Sequence, residues 1–96
     1  MNIGLSIKKM RKKKGVNQQS LSEITQITQT YLSLIENGRK TPSIAVLRQI
    51  SDALNVPLPV IIWNSIEEND VAIEKIEAFR ALKLNVDQLL NDFLVS

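Results

Sequence analysis

The chain has 96 residues, 44% of them hydrophobic, which is enough for one small domain with a modest core. It has no cysteine, so it cannot form a disulfide framework or a thiolate metal site. It has no histidine, so it lacks the commonest metal ligand and physiological acid–base group. We therefore expect no metal, no cofactor and no small-molecule substrate. The net charge of +2 conceals an asymmetry: nine Lys/Arg against two Asp/Glu through Arg48, and three against eight from Gln49 onward.

The two halves of the chain therefore suit different partners. A basic front half suits a polyanion such as DNA, whereas an acidic back half suits solvent or another protein. The basic start is not followed by an apolar run, and no stretch approaches the length of a membrane span. We expect no signal peptide, no membrane insertion and a cytoplasmic location.

The first predicted helix runs from about Ile3 to Lys13. Its apolar residues Ile3, Ile7 and Met10 recur at helical spacing and should face the core. The lysines between them face outward, and Gly15 ends the helix. Taken alone, this basic run is typical of a solvated surface.

Two short helices joined by a tight turn are predicted between Asn17 and Asn37. Asn17 can cap the first helix and Thr28 the second, because each can accept hydrogen bonds from free N–H groups of a first turn. Residues 26–27 make the turn. Gly38 supplies the positive φ that follows the second helix.

The two faces of this helix pair differ in chemistry. The inward face holds the helices together through the apolar residues Leu21, Ile27, Leu32 and Ile35. The outward face of the second helix carries the predicted base-contacting residues Gln29, Thr30, Ser33 and Leu34. Glutamine can bond adenine bidentately, hydroxyls can bond several bases, and an apolar group can meet the thymine methyl. The pattern predicts a helix that reads the major groove of double-stranded DNA.

These residues follow a known order and spacing. The sequence reads Ile7-Lys8-Lys9-Met10-Arg11, Lys14-Gly15, Asn17-Gln18, Leu21, Ile27-Thr28, Leu32-Ser33-Leu34-Ile35-Glu36-Asn37-Gly38 and Pro42-Ser43. From about Ile3 to Trp63 the chain resembles the helix-turn-helix family of phage repressors and Cro/C1-type (XRE) bacterial regulators. The resemblance implies an all-α, five-helix, lambda-repressor-like DNA-binding domain over residues 1–65, in a sequence-specific transcriptional regulator.

The resemblance also implies roles for individual residues. Arg11 on the first helix would pair with Glu36 at the end of the reading helix as a structural ion pair. Gln18 would contact the DNA backbone and buttress Gln29. Gln26 stands where the family usually has a left-handed glycine, which we expect to cost about 1 kcal/mol.

Candidate phosphate contacts surround the reading helix. Free N–H groups at the start of the helix that contains Gln18 favour a phosphate, and the loop after Asn37 is polar and basic. Tyr31 could lie at the core edge or put its hydroxyl on a phosphate, and we favour the second. Such contacts fix register without reading sequence. The predicted set is Gln18, Thr28, Tyr31, Asn37, Arg39, Lys40 and Thr41.

Two further helices complete the predicted domain. Ser43 caps the first, which Asn55 ends, and the second runs from Leu58 to Asn64. Trp63 is interpreted as a core anchor rather than a ligand-stacking residue. The predicted buried face of the first helix comprises Ile44, Val46, Leu47, Ile50, Ala53 and Leu54.

Residues 66–96 are predicted to form a C-terminal extension of two short helices, one over about Val71 to Lys83 and one capped by Asn85. The last helix is too short to be stable alone, so its apolar face must be covered. The cover is either the chain's own domain or the same segment of a second subunit. We favour a homodimer, because a two-fold dimer places two reading helices in successive major grooves of a palindromic or near-palindromic operator. The predicted dimerisation residues are Ile76, Phe79, Leu89, Leu90, Phe93 and Leu94.

Other function classes are weighed against this interpretation. A protein-interaction module of the same fold, an antitoxin or adaptor, would use the acidic, apolar C-terminal half to bind a partner protein. An enzyme is disfavoured, because the sequence shows no clustered carboxylate pair, nucleophile elbow, metal-ligand spacing or glycine-rich phosphate loop. RNA binding is a weaker variant, since few aromatic residues are present to stack on single-stranded bases.

Overall fold

Every regular element in the described part of the chain is helical, which confirms the predicted all-α class. The computed structural model describes residues 1–95 apart from the side chain of Val95, so Ser96 of the predicted extension lies outside it. The α-helices in chain order are α1 (Ile3–Lys13), α2 (Gln18–Thr25), α3 (Gln29–Glu36), α4 (Ile44–Leu54), α5 (Leu58–Ser65) and α6 (Ile76–Val95). The first five follow the order expected for the predicted domain.

Each of the first four helices begins at a capping side chain. Asn2, Asn17, Thr28 and Ser43 accept a hydrogen bond from a first-turn N–H at 3.0, 2.8, 3.1 and 3.1 Å, respectively. Each bond satisfies a donor that a helix N-terminus otherwise leaves without a partner. The starts of α2, α3 and α4 therefore lie where the sequence predicts them.

The same four helices are each followed by a residue with positive φ. These residues are Gly15 at 69°, Gln26 at 63°, Gly38 at 76° and Asn55 at 54°. Asparagine tolerates this region better than most residues, whereas glutamine meets the ordinary Cβ penalty. The turn at Gln26 thus takes the left-handed form that the family resemblance implies, with a residue poorly suited to it.

Helices α1 to α5 enclose one apolar core. Its buried side chains are Ile7, Met10, Leu21, Leu32, Ile35, Leu47, Ile50, Leu54, Val56 and Ile61. Helix α1 approaches α3 so closely that a Cβ on Gly4 would lie 2.0 Å from the carbonyl oxygen of Ile35. Helix α1 is also fastened to α5, because the Ser6 hydroxyl donates to the carbonyl of Ile61 at 2.6 Å. The core therefore fixes α3 against α1, which is in turn fastened to α5.

One prediction for this core is wrong. Ile44, predicted on the buried face of α4, is 61% exposed, because it is the first residue of the helix and burial begins one turn later at Leu47. Val46 and Ala53 of the same predicted face are half-buried, as is Trp63, the predicted core anchor.

The C-terminal segment differs from the predicted pair of short helices. Two single 3-10 turns, Glu68–Asp70 and Ile73–Lys75, precede one continuous helix of 20 residues, α6. The expected helix start at Val71 and the expected cap at Asn85 are both wrong. From Ile76 onward the sequence contains no glycine or proline, and its apolar residues keep helical spacing across Asn85. One interior asparagine costs only a fraction of a kcal/mol, too little to end the helix.

The chain separates into two compact units. Asn2–Ser65 is called the N-terminal region below, and the residues from Ile66 onward, which cluster with Met1, the C-terminal region. Within residues 1–95 no single helix is long and apolar enough to cross a membrane; α4 and α5 meet that criterion only as a pair, bent by 107°.

Candidate nucleic-acid interface

The turn between α2 and α3 is held by local hydrogen bonds. Gln26, in the left-handed conformation, donates from its side chain to the carbonyl of Glu23 at 3.0 Å. Ser22 donates to the carbonyl of Ile27 at 2.5 Å, and the N–H of Ile27 donates to the Thr25 hydroxyl at 3.2 Å. These bonds satisfy the polar groups of a turn that lacks the usual glycine. The angle between α2 and α3 is consequently fixed by hydrogen bonds among residues 22–27.

Apolar burial then decides which face of α3 turns outward. Leu21, Leu32 and Ile35 are 0%, 0% and 1% exposed. Since Leu32 and Ile35 share one side of α3, residues on the opposite side of the helix face away from the core. Gln29 and Thr30 are exposed, in agreement with this geometry.

A shallow, open concavity of about 390 Å³ lies on this outward face. We call it the α3 concavity, and its lining residues are Gln18, Gln29, Thr30, Ser33 and Leu34. The structure thus brings together all the residues predicted to contact bases, and adds Gln18 from the first turn of α2. The lining combines amides, hydroxyls and one apolar side chain, the groups that distinguish base edges in the major groove.

A buried ion pair lies behind the α3 concavity. Arg11 donates from Nε and Nη2 to Oε2 and Oε1 of Glu36 at 2.7 and 2.9 Å, and the two side chains are only 9% and 1% exposed. These hydrogen bonds raise the pKa of Arg11 above its ordinary value. Arg11 also donates to the carbonyl of Val16 at 3.0 Å. The pair therefore ties α1, the loop before α2 and the end of α3 together.

Gln18 joins this pair, which the sequence did not reveal. Its amide Nε2 donates to Oε1 of Glu36 at 3.1 Å. Glu36 thereby accepts from three side-chain N–H groups belonging to two residues. The only sequence signal was indirect: a carboxylate has more acceptor positions than a two-pronged arginine fills.

The loop after α3 is anchored to the wall of the concavity. The backbone N–H groups of Arg39 and Lys40 both donate to the carbonyl of Leu34, at 2.8 and 3.2 Å. Both side chains are exposed, as are those of Asn37 and Thr41. The two cations are therefore held beside the concavity with their charged ends in solvent.

The remaining predicted phosphate contacts lie nearby on the same helix pair. Thr28 is exposed, and its hydroxyl already accepts from the N–H of Tyr31 as the α3 cap. Tyr31 is half-buried, and Gln18 occupies the first position of α2. All of the predicted phosphate contacts fall within α2, the cap of α3, α3 itself and the following loop.

The predicted dimerisation residues belong to a different unit, the C-terminal region. Leu89 and Phe93 are 69% and 58% exposed, whereas Leu94 is 9% exposed. Ile76, Phe79 and Leu90 are intermediate. Leu82, which was not among the predicted contacts, is 52% exposed and follows the spacing of Leu89 and Phe93.

A family model described as helix-turn-helix matches residues 7–61. These limits contain α2, α3, the loop that follows and both members of the buried ion pair.

Relatives with curated names are also similar to this chain. The immunity repressor protein of Bacillus phage phi105 is 31% identical over 84 residues, covering 75% of this chain and 58% of that protein. The ImmF control region 10 kDa protein of the same phage is 37% identical over 65 residues, covering 68% and 72%. An uncharacterized HTH-type transcriptional regulator of Bacillus subtilis, YqaF, is 38% identical over 48 residues, covering 50% and 63%. The chain therefore spans less than two thirds of the phi105 immunity repressor.

Proposed function

Because the chain belongs to the Cro/C1-type (XRE) helix-turn-helix family of DNA-binding transcriptional regulators, we propose that it binds a specific double-stranded operator as a homodimer. The operator is palindromic or nearly so, and the protein acts in the cytoplasm by occupying it. The observation that carries the proposal is the α3 concavity, whose lining is chemically matched to base edges and flanked by an anchored basic loop.

In this proposal α3 lies in the major groove. Gln29, at the first position of the helix, bonds an adenine through its amide, and the hydroxyls of Thr30 and Ser33 bond neighbouring bases. Leu34 provides the apolar contact to a thymine methyl. The exposure of Gln29 and Thr30 supports their role, since base edges can reach them without any rearrangement.

Phosphate contacts hold α3 in the groove. Arg39 and Lys40 provide the charge, and Thr28, Tyr31, Asn37 and Thr41 provide polar groups around them. Gln18, in the first turn of α2, offers a backbone N–H to a phosphate. The N-terminal region carries nine Lys/Arg and three Asp/Glu, a net charge of +6, which favours approach to a polyanion.

Helix α6 supplies the contact between two copies. Leu82, Val86, Leu89 and Phe93 are spaced by four, three and four residues, the repeat with which two helices pack along a common seam. We call these four residues the α6 stripe; three of them are more than half exposed. We assign the stripe to a second copy of this chain, because one eight-residue reading helix contacts few base pairs and two copies double the site. The stripe contains two of the six residues predicted to dimerise, Leu89 and Phe93, and adds Leu82 and Val86. The other four predicted residues are less exposed and lie outside the stripe: Ile76, Phe79, Leu90 and Leu94.

The decisive experiment is selection from randomised duplexes at about 150 mM salt, where nonspecific phosphate attraction is weakened. We expect enrichment of two inverted half-sites spaced about one helical turn apart. A single half-site would contradict the dimer. No enrichment would contradict sequence reading and favour the alternative, a module whose C-terminal region binds a partner protein.

Two single variants separate base reading from phosphate contact. Gln29→Ala should weaken binding to the selected operator by about 1 to 3 kcal/mol and relax one base position. Arg39→Ala should weaken binding to all duplexes alike and flatten the dependence of affinity on salt. Equal losses on operator and random DNA for Gln29→Ala would contradict its assignment to a base.

A further inference from the structure

The hydrogen bond between Gln18 and Glu36 constrains the direction of an amide that lines the α3 concavity. Nε2 of Gln18 lies 3.1 Å from Oε1 of Glu36. The Glu36 side chain is 1% exposed and accepts two further hydrogen bonds from Arg11. An ionised carboxylate only accepts, so the amide must turn its nitrogen toward Glu36.

The opposite orientation of Gln18 would be unfavourable. A rotation of the amide by 180° would bring its carbonyl oxygen against a buried carboxylate, replacing a charge-assisted hydrogen bond with repulsion between two acceptors. Without the carboxylate the two orientations would differ little, because amide oxygen and nitrogen have nearly the same shape. Glu36 thus determines which end of the amide Gln18 can present elsewhere.

We propose that the buried Arg11–Glu36 pair is a positioning device for base recognition, which acts by holding Gln18 so that its carbonyl oxygen serves the α3 concavity as an acceptor. The major-groove groups that match such an acceptor are exocyclic amino groups, N6 of adenine and N4 of cytosine. This inference rests on the proposed function and adds one base position to the half-site. The side chain of Gln18 reads that base while its backbone N–H remains available to a phosphate.

Arg11 and Glu36 are positioning residues in this proposal, since neither lines the concavity. Arg11 holds the Glu36 carboxylate in place through two hydrogen bonds. Glu36 transmits that order to Gln18 through a third. The same contacts would exist in a purely structural role, so the test must read out base preference rather than stability.

The first test uses the native protein and Gln18→Ala. Duplex selection with both proteins identifies the position whose preference depends on Gln18, which we expect to be adenine or cytosine. At that position the base is replaced by an analogue that lacks only the exocyclic amino group. The native protein should lose about tenfold in affinity, whereas Gln18→Ala should lose no more than about twofold.

The second test removes both members of the buried ion pair, so that no unpaired charge is left in the interior. The double variant Arg11→Met/Glu36→Met replaces a buried ion pair with apolar groups of similar length, a change that is often neutral for folding. Folding is verified by circular dichroism and thermal melting. At the same base position, the preference of the double variant for the native base over the analogue should fall about tenfold. The dependence of its affinity on salt should be unchanged. Adding Gln18→Ala to the double variant should lower this preference by no more than about a further twofold.

The outcomes separate this inference from the proposed function. If the native protein selects an operator but Gln18→Ala weakens every duplex alike, Gln18 reads no base and the inference falls alone. It also falls if Gln18→Ala has its full effect in the double variant, because Glu36 would then position nothing. If the double variant does not fold, the analogue measurement still decides the role of Gln18. If no duplex is selected at all, the proposed function and the inference fall together.

Discussion

The N-terminal region buries its large apolar side chains, whereas the C-terminal region leaves several of its own exposed. In the N-terminal region ten large apolar side chains are buried, and four of its five helices are bounded by side-chain caps and left-handed residues. In the C-terminal region a single 20-residue helix leaves Leu82, Leu89 and Phe93 more than half exposed. The first region completes its own core, whereas the second presents apolar surface that suits another molecule.

The ion pairs of the two regions show the same contrast. Arg11 and Glu36 in the N-terminal region are 9% and 1% exposed, while Arg80 and Glu68 in the C-terminal region are 62% and 49% exposed. Both pairs are bidentate, and Arg80 lowers the pKa of Glu68 below its usual value. The number of hydrogen bonds is therefore the same in the two pairs, and burial decides how much stability is lost when one partner is removed.

Removing one partner of each pair tests this contrast most strongly. Glu36→Ala should lower the free energy of unfolding by about 3 to 5 kcal/mol, because it leaves the Arg11 charge buried without its partner. Glu68→Ala is the matched control and should leave the urea midpoint unchanged, since water solvates both charges. Similar losses for the two variants, measured by urea denaturation, would contradict the argument from burial.

A methyl group added between α1 and α3 should have the next largest effect. Gly4→Ala would place Cβ 2.0 Å from the Ile35 carbonyl oxygen, forcing α1 away from α3 at a cost of about 1 to 3 kcal/mol. Gly15→Ala is the control, because nothing lies within 4 Å of its added Cβ and only the positive φ is penalised, by about 1 kcal/mol. Thermal melting of both variants gives the comparison. A Gly4→Ala variant as stable as the native protein would show that the helices are not in such close contact.

Charge placed on the α6 stripe should affect association rather than folding. Leu89→Asp should raise the dimer dissociation constant at least tenfold, equivalent to about 1.4 kcal/mol. Leu84→Asp changes an equally exposed leucine, 72% against 69%, on the opposite side of α6 and should leave association unchanged. Sedimentation at several concentrations measures both. A native protein that stays monomeric, or equal effects of the two substitutions, would remove the stripe from the dimer contact.

The smallest expected effect is a gain in stability at the turn of the N-terminal region. Gln26→Gly should relieve the Cβ penalty at φ 63°, while the added flexibility of the unfolded chain offsets part of the gain, leaving about 0.5 to 1 kcal/mol. The melting temperature should rise by about 4 °C. Asn55→Gly should gain less, because asparagine already tolerates φ 54°. A larger gain at Asn55 would mean that the local hydrogen bonds of Gln26 compensate its conformation fully.

Local chemistry explains what could be predicted from the sequence. The caps at Asn17, Thr28 and Ser43 act within three residues of their own position, so their identity alone indicates the helix starts. The inward residues Leu21, Leu32 and Ile35 follow from helical spacing. The outward face of α3 then follows by exclusion, and with it most of the α3 concavity.

The missed features depend on longer distances. Whether α6 breaks at Asn85 is decided by apolar residues on both sides of that position, which outweigh the weak preference of one asparagine. The bond from Gln18 to Glu36 spans 18 residues and requires the final angle between α2 and α3. The exposure of Ile44 depends on how far the packed surface of the neighbouring helices extends toward the start of α4, and not on its own apolar character.

The carbonyl of Leu34 has a kinetic consequence for a protein bound to DNA as proposed. Leu34 lines the α3 concavity, and its carbonyl holds the backbone of both Arg39 and Lys40. The backbone that carries the proposed base-contacting groups is therefore tied to the backbone that carries the proposed phosphate-contacting cations. A step to the next base pair must break both sets of contacts at once, so the residence time on an operator reflects their combined strength, while the search along other DNA proceeds on the phosphate contacts alone.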